Sequence, residues 1–267
     1  MTAGTAVGEE LRRTLLRLAE RYETPAFMEN DPSRFMHMVE GDANRETTAF
    51  VAAALSFGNR AQFGAKIDSL LDAAGGDMFK WIAEGAYARD FRAGDARCFY
   101  RFHTRGAMRR FFDVLRAIVS SHGSLGAFAR ANAHDGPSAA AAFCAAFADG
   151  GGLVPKDPRS ACKRVCMFLR WMSRDGSPVD LGLWSGFIGK ATLAMPLDVH
   201  VLRQSRRLGL ARSRTASMHA ALALSRTLAQ VFPGDPLRGD FALFGLGVSG
   251  EAPEGEDART GSAQTQF

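Results

Sequence analysis

Apolar residues in this chain recur at helical spacing, and almost nowhere do they alternate. Leu11, Leu15, Leu18 and Tyr22 show the pattern at its clearest, as one apolar stripe along a helix face. Such stripes are buried by packing helix on helix. The class read from the sequence is therefore all-α, with strand content at most marginal. Asp31-Pro-Ser-Arg begins a turn into a helical segment at 35–39, and Asn44-Arg-Glu-Thr-Thr leads into a long apolar helix at 49–57, closed by Gly58-Asn59. Further helices are expected at 61–74, 79–83, 105–122, 125–131 and 138–148, bounded mostly by Gly, Asn or Asp. After Gly150-Gly-Gly152 come 160–174, 180–184, 198–208, 215–231 and 240–245. The expected organisation is a single two-lobed helical domain over 1–250, with the triple glycine at 150–152 as a hinge. A polar, acidic, Gly/Pro-rich tail at 251–267 is expected to be disordered.

Composition narrows the partners. The chain of 267 residues carries a net charge of +5, and its acidic tail makes the remainder more basic than that total. Arginine dominates the positive charge, in clusters at 101–116 and 203–214 that suit phosphate binding. No apolar run is long enough to span a bilayer, and Met1 to Glu10 lacks an export pattern, so a cytoplasmic protein is expected, away from membranes. Cys98, Cys144, Cys162 and Cys166 include no CxxC pair; they read as reduced core cysteines, with no metal site and no cofactor.

Two constellations carry chemistry. In Met195-Pro-Leu-Asp-Val-His200, Asp198 stands where a helix begins, and aspartate is a preferred N-cap whose ionised form the helix dipole favours. The helix that follows carries Arg203, Arg206 and Arg207. A fixed anion beside a basic helix suits an enzyme that grips a phosphate backbone and stabilises a cation formed during reaction; an ordinary cap beside a solvated basic face reads the same way. In the second constellation, Pro158-Arg-Ser160 sets up a helix start with Ser160 as cap and Lys163 in the first turn, beside Arg164. An amine placed there is disfavoured as an ammonium and suits a Schiff-base nucleophile. Lys190, nearer to Asp198 in sequence, is the alternative. Phe168, Trp171 and Trp184 are either stacking surfaces for a base or core residues.

Taken together, Cys162-Lys-Arg164, Met167-Phe-Leu-Arg-Trp-Met172, Asp180-Leu-Gly-Leu-Trp184, Pro196-Leu-Asp-Val-His200, Asp235-Pro236 and Asp240-Phe-Ala-Leu-Phe-Gly-Leu-Gly247 resemble a widespread bacterial family, as do Glu46, the 54–62 segment and Tyr100-Arg-Phe102 upstream. The Pro196-Leu-Asp-Val-His segment is in turn similar to that of the helix-hairpin-helix DNA glycosylases, with the archaeal 8-oxoguanine glycosylases most alike. That resemblance implies a two-lobed helical fold and removal of damaged bases (oxidised purines above all) from double-stranded DNA; the protein is expected to act as a monomer. It implies that Asp198 is catalytic and Lys163 is the nucleophile of a glycosylase/AP lyase. Arg203, Arg206 and Arg207 would then meet the DNA backbone. It places His200 and Asp240 at the substrate, and Asn59, Arg60 and Gln62 where the vacated base stack is filled. The Leu-Pro-Gly-Val-Gly hairpin and the C-terminal cysteine cluster of the endonuclease III branch are absent; Pro155-Lys-Asp-Pro158 stands before Lys163 instead. The alternative reading is a DNA- or RNA-binding protein that keeps the scaffold without the chemistry.

Overall fold

Side-chain caps start several of the helices. The computed structural model describes residues 7–249, and the tail expected to be disordered lies outside the described residues. The first helices are α1 (Glu9–Tyr22), α2 (Arg34–His37), α3 (Asp42–Leu55), α4 (Arg60–Ala73) and α5 (Met78–Ala83). An antiparallel hairpin of β1 (Cys98–Tyr100) and β2 (His103–Thr104) then leads into α6 (Arg105–His122). There follow α7 (Leu125–Asn132), α8 (Gly136–Ala146), α9 (Lys163–Ser173), α10 (Val199–Arg207), α11 (Met218–Leu228) and α12 (Arg238–Ser249). Thr104, Ser124 and Ser217 each accept a backbone N–H of the first turn of α6, α7 and α11, satisfying donors that a bare helix start leaves open. The fold is all-α, as the periodicity requires.

The core is built around α3, whose residues from Glu46 to Leu55 are all buried. Phe50 stands at its centre, ringed by Phe111, Phe143, Phe147 and Phe168 at 5.0–5.9 Å between ring centroids. Helix α9 packs on α3 and α8, while α1 and α12 pair closely and bring the two ends of the described chain together. One polar tie crosses this core. The Glu46 carboxylate accepts the Trp184 indole N–H at 2.7 Å and the Gly126 backbone N–H at 2.9 Å. Only glycine fits at position 126, because a Cβ there would collide with both Glu46 and Trp184. At the triple glycine, Gly151 has φ 76° and lies against the Ala107 carbonyl of α6, again leaving no room for a side chain. None of the described helices is long and apolar enough to cross a membrane.

Two local expectations are corrected. Ser160 does not cap α9. It forms an isolated bridge with Ser217, and Cys162 occupies the cap position in the left-handed region at φ 45°. The 180–184 segment is a turn rather than a helix, because its backbone N–H groups close off the end of α9. Leu181 donates to Trp171 O at 2.8 Å and Trp184 to Met172 O at 2.6 Å.

Candidate functional site

The starts of α9 and α10 meet. Lys163, the first residue of α9, donates its ammonium to Asp198 Oδ2 at 2.7 Å across 35 residues of sequence. The other oxygen of Asp198 accepts the His200 and Val201 backbone N–H groups at 2.9 and 2.8 Å, so one carboxylate both caps α10 and holds the lysine. Burial raises the Asp198 carboxyl, but Lys163 and these two N–H groups outweigh it and hold the group below its ordinary value of 3.8. Both side chains reach solvent, with 41% and 28% of their surfaces exposed, so an incoming molecule can touch the pair.

Behind the pair lies a buried ionic network. Arg170 donates to Asp180 at 3.2 Å and also to Asp240. Arg174 reaches Asp180 at 2.7 Å, Asp235 at 2.8 Å and Glu23, whose second oxygen takes Arg238 at 2.9 Å. Burial pushes the Asp240 carboxyl up, opposed by the positive charges of Arg170 and Lys163; Asp240 is thus a second acidic group in the field of the lysine. Among the described residues, no group of three or more His, Cys, Asp or Glu side chains is arranged to hold a metal ion.

Each expected site residue has a definite place. Lys190 is held by Asp175 at 2.6 Å, which leaves Lys163 as the amine at Asp198. The Arg164 guanidinium does not flank Lys163 as expected: it donates to the Ala54 carbonyl and stacks on Phe57 at 4.8 Å. Arg203, Arg206 and Arg207 are exposed on α10, and His200 is exposed one turn before Arg203, to which it comes within 3.4 Å. Asn59 caps α4 by accepting the Gln62 N–H at 3.2 Å, and Asn59, Arg60 and Gln62 all face solvent. Phe168, Trp171 and Trp184 are not stacking surfaces. They are 0%, 0% and 1% exposed, and Phe168 and Trp184 are locked among Phe50, Phe143 and the Glu46 tie.

One exposed aromatic was not singled out in advance. Phe102, at the turn of the β1–β2 hairpin, is 75% exposed, and its ring lies 5.4 Å from that of Phe57. Arg101 beside it takes a left-handed backbone at φ 53°. Phe57 precedes Gly58-Asn59, so this hairpin and the start of α4 at Asn59 to Gln62 form one rim, joined through Arg164 to the start of α9. The available signal was Tyr100-Arg-Phe102 itself, an aromatic–basic–aromatic run.

Fold and site together define a helical protein with a solvent-accessible lysine–aspartate pair between two helix starts, beside an arginine-bearing helix. Residues 31–249 match a family model described as a protein of unknown function, DUF2400, and the chain belongs to that family. No curated protein and no solved structure matches it.

Proposed function

We propose that this protein is a DNA glycosylase with lyase activity, acting on damaged bases in double-stranded DNA, oxidised purines such as 8-oxoguanine foremost. The observation that carries the reading is the 2.7 Å contact of Lys163 Nζ with Asp198 Oδ2, on the side of the molecule that also presents an arginine-bearing helix. Breaking an N-glycosidic bond leaves positive charge on the sugar, which an ionised carboxylate stabilises. Asp198, held ionised, fills that role. As the glycosidic bond breaks, its electron pair leaves with the base, and the lysine amine forms a bond to the sugar carbon. The proton that Lys163 must release to become a nucleophile goes to the departing base, which leaves neutral, while Asp198 keeps its charge. Ring opening then gives a Schiff base, from which the 3′ phosphate leaves by β-elimination.

Binding follows from the same surface. Arg203, Arg206 and Arg207 contact phosphates, while Phe102 with Asn59, Arg60 and Gln62 occupies the base stack vacated by the extruded nucleotide. His200 and Asp240 meet the substrate, and the protein works in the cytoplasm as a monomer. The test is base release from duplexes bearing oxidised, deaminated and alkylated bases. Release from an oxidised-purine duplex supports the reading. DNA binding without release from any of them replaces it with a non-catalytic binding module, and no binding at all removes DNA as the partner.

A further inference from the structure

The residue before Lys163 belongs to a thiol pair. Cys162 Sγ lies 3.5 Å from Cys144 Sγ of α8 and 3.2 Å from Ser160 Oγ. Both cysteines are buried, and Cys166 sits one turn further along α9 with its thiol donating to the Ala161 carbonyl. We propose that Cys144 and Cys162 are an oxidation site, at which a small hydroperoxide converts the two thiols to a disulfide and thereby disarms the lysine–aspartate pair.

The geometry supports each part. The sulfur atoms must close to about 2 Å to bond, and both lie on segments that already pack together. Hydrogen bonds from the Cys144 thiol and then Ser160, opposed by burial, hold the Cys162 thiol down, while Cys144 and Cys166 are pushed up. Cys162, the one of the pair with the Ser160 hydroxyl at 3.2 Å, is the sulfur that reacts first. Its thiolate attacks one peroxide oxygen, the O–O bond breaks, and an alcohol or water departs, leaving a sulfenic acid. The Cys144 sulfur then attacks the Cys162 sulfur and expels its hydroxyl, which leaves as water with the Cys144 proton. The thiol pair loses two electrons to the peroxide.

The consequence follows from position. Cys162 holds the cap of α9 in a left-handed backbone, and Lys163 comes next. Drawing Cys162 toward α8 shifts the first turn of α9, which holds Lys163 against Asp198. This effect on chemistry rests on the proposed function, whereas disulfide formation does not.

The experiment treats the full chain with hydrogen peroxide and maps peptides by mass spectrometry, alongside borohydride trapping on an oxidised-purine duplex. A Cys144–Cys162 crosslink reversed by dithiothreitol is expected, absent from Cys144→Ala. Trapped adduct should fall about a hundredfold on oxidation, recover on reduction, and stay unchanged by peroxide in Cys144→Ala. A crosslink of Cys162 to Cys166, a sulfinic acid at Cys162, or no oxidation of the pair would overturn the proposal, as would a crosslink that leaves trapping unchanged. If the reduced protein traps nothing, the Schiff-base part of the proposed function fails instead, and the peptide map alone decides whether the thiol pair is an oxidation site.

Discussion

Asp198 divides its duties between two oxygens, and each can be tested separately. Oδ1 caps α10 and Oδ2 holds Lys163. Asparagine caps a helix as well as aspartate does, so Asp198→Asn keeps the cap and loses the charge. The pair is partly exposed, so the loss at neutral pH should stay within about 1 kcal/mol. The sign of the acid effect is fixed by the lowered carboxyl. Its stabilisation is complete above the ordinary value of 3.8 and is lost as pH falls through the lower folded value. Urea unfolding across an acid series should accordingly show a shallower decline in Asp198→Asn than in the wild type; an equal slope would mean the carboxylate is not held ionised by the fold. The Asp198 cap was legible in the sequence, because Pro-Leu-Asp ahead of a helical run leaves few other readings. The burial of Trp171 and Trp184 was not, since helical spacing does not distinguish a side chain facing a cleft from one facing the core.

Among the elements, α10 and the β1–β2 hairpin make separate claims. The exposed Arg203, Arg206 and Arg207 contribute nothing to the core, so replacing all three with alanine should leave unfolding unchanged. It should weaken DNA binding and flatten the salt dependence by about one unit for each phosphate no longer neutralised. A titration with unaltered slope would put the DNA on another face. For the hairpin, Phe102→Ala should cost about 1–3 kcal/mol in binding to a lesion duplex, the range of one stacked base; an unchanged dissociation constant would make Phe102 a bystander. Most helices were readable: α6 runs Arg105–His122, as its stripe and capping threonine require. The hairpin strands were too short to show alternation. The 180–184 segment misled because its leucines and tryptophan look periodic, while its N–H groups are spent on the end of α9.

At the scale of the whole molecule, Arg174 fastens together parts of the chain that local pattern does not connect. It lies 1% exposed among Glu23 after α1, Asp180 after α9, and Asp235 before α12. Removing one partner from a buried ionic network leaves uncompensated charge, so Arg174→Met should destabilise the fold by about 3–5 kcal/mol in denaturant unfolding. A change below about 1 kcal/mol would mean that the packing of α1 on α12 holds the ends unaided. Single positions such as Arg174 or Glu46 gave no hint of these partners in sequence, since pairings 61 and 138 residues apart arise only when the helices pack. The same packing brings Lys163 to Asp198, and the proposed chemistry depends on it. Borohydride trapping on an oxidised-purine duplex tests that chemistry most directly, comparing wild type, Lys163→Gln and Lys190→Gln. The expected result is a covalent protein–DNA adduct in the wild type and in Lys190→Gln, and none in Lys163→Gln. An adduct that persists in Lys163→Gln, or its absence from the wild type, would contradict the assignment of Lys163 as the nucleophile.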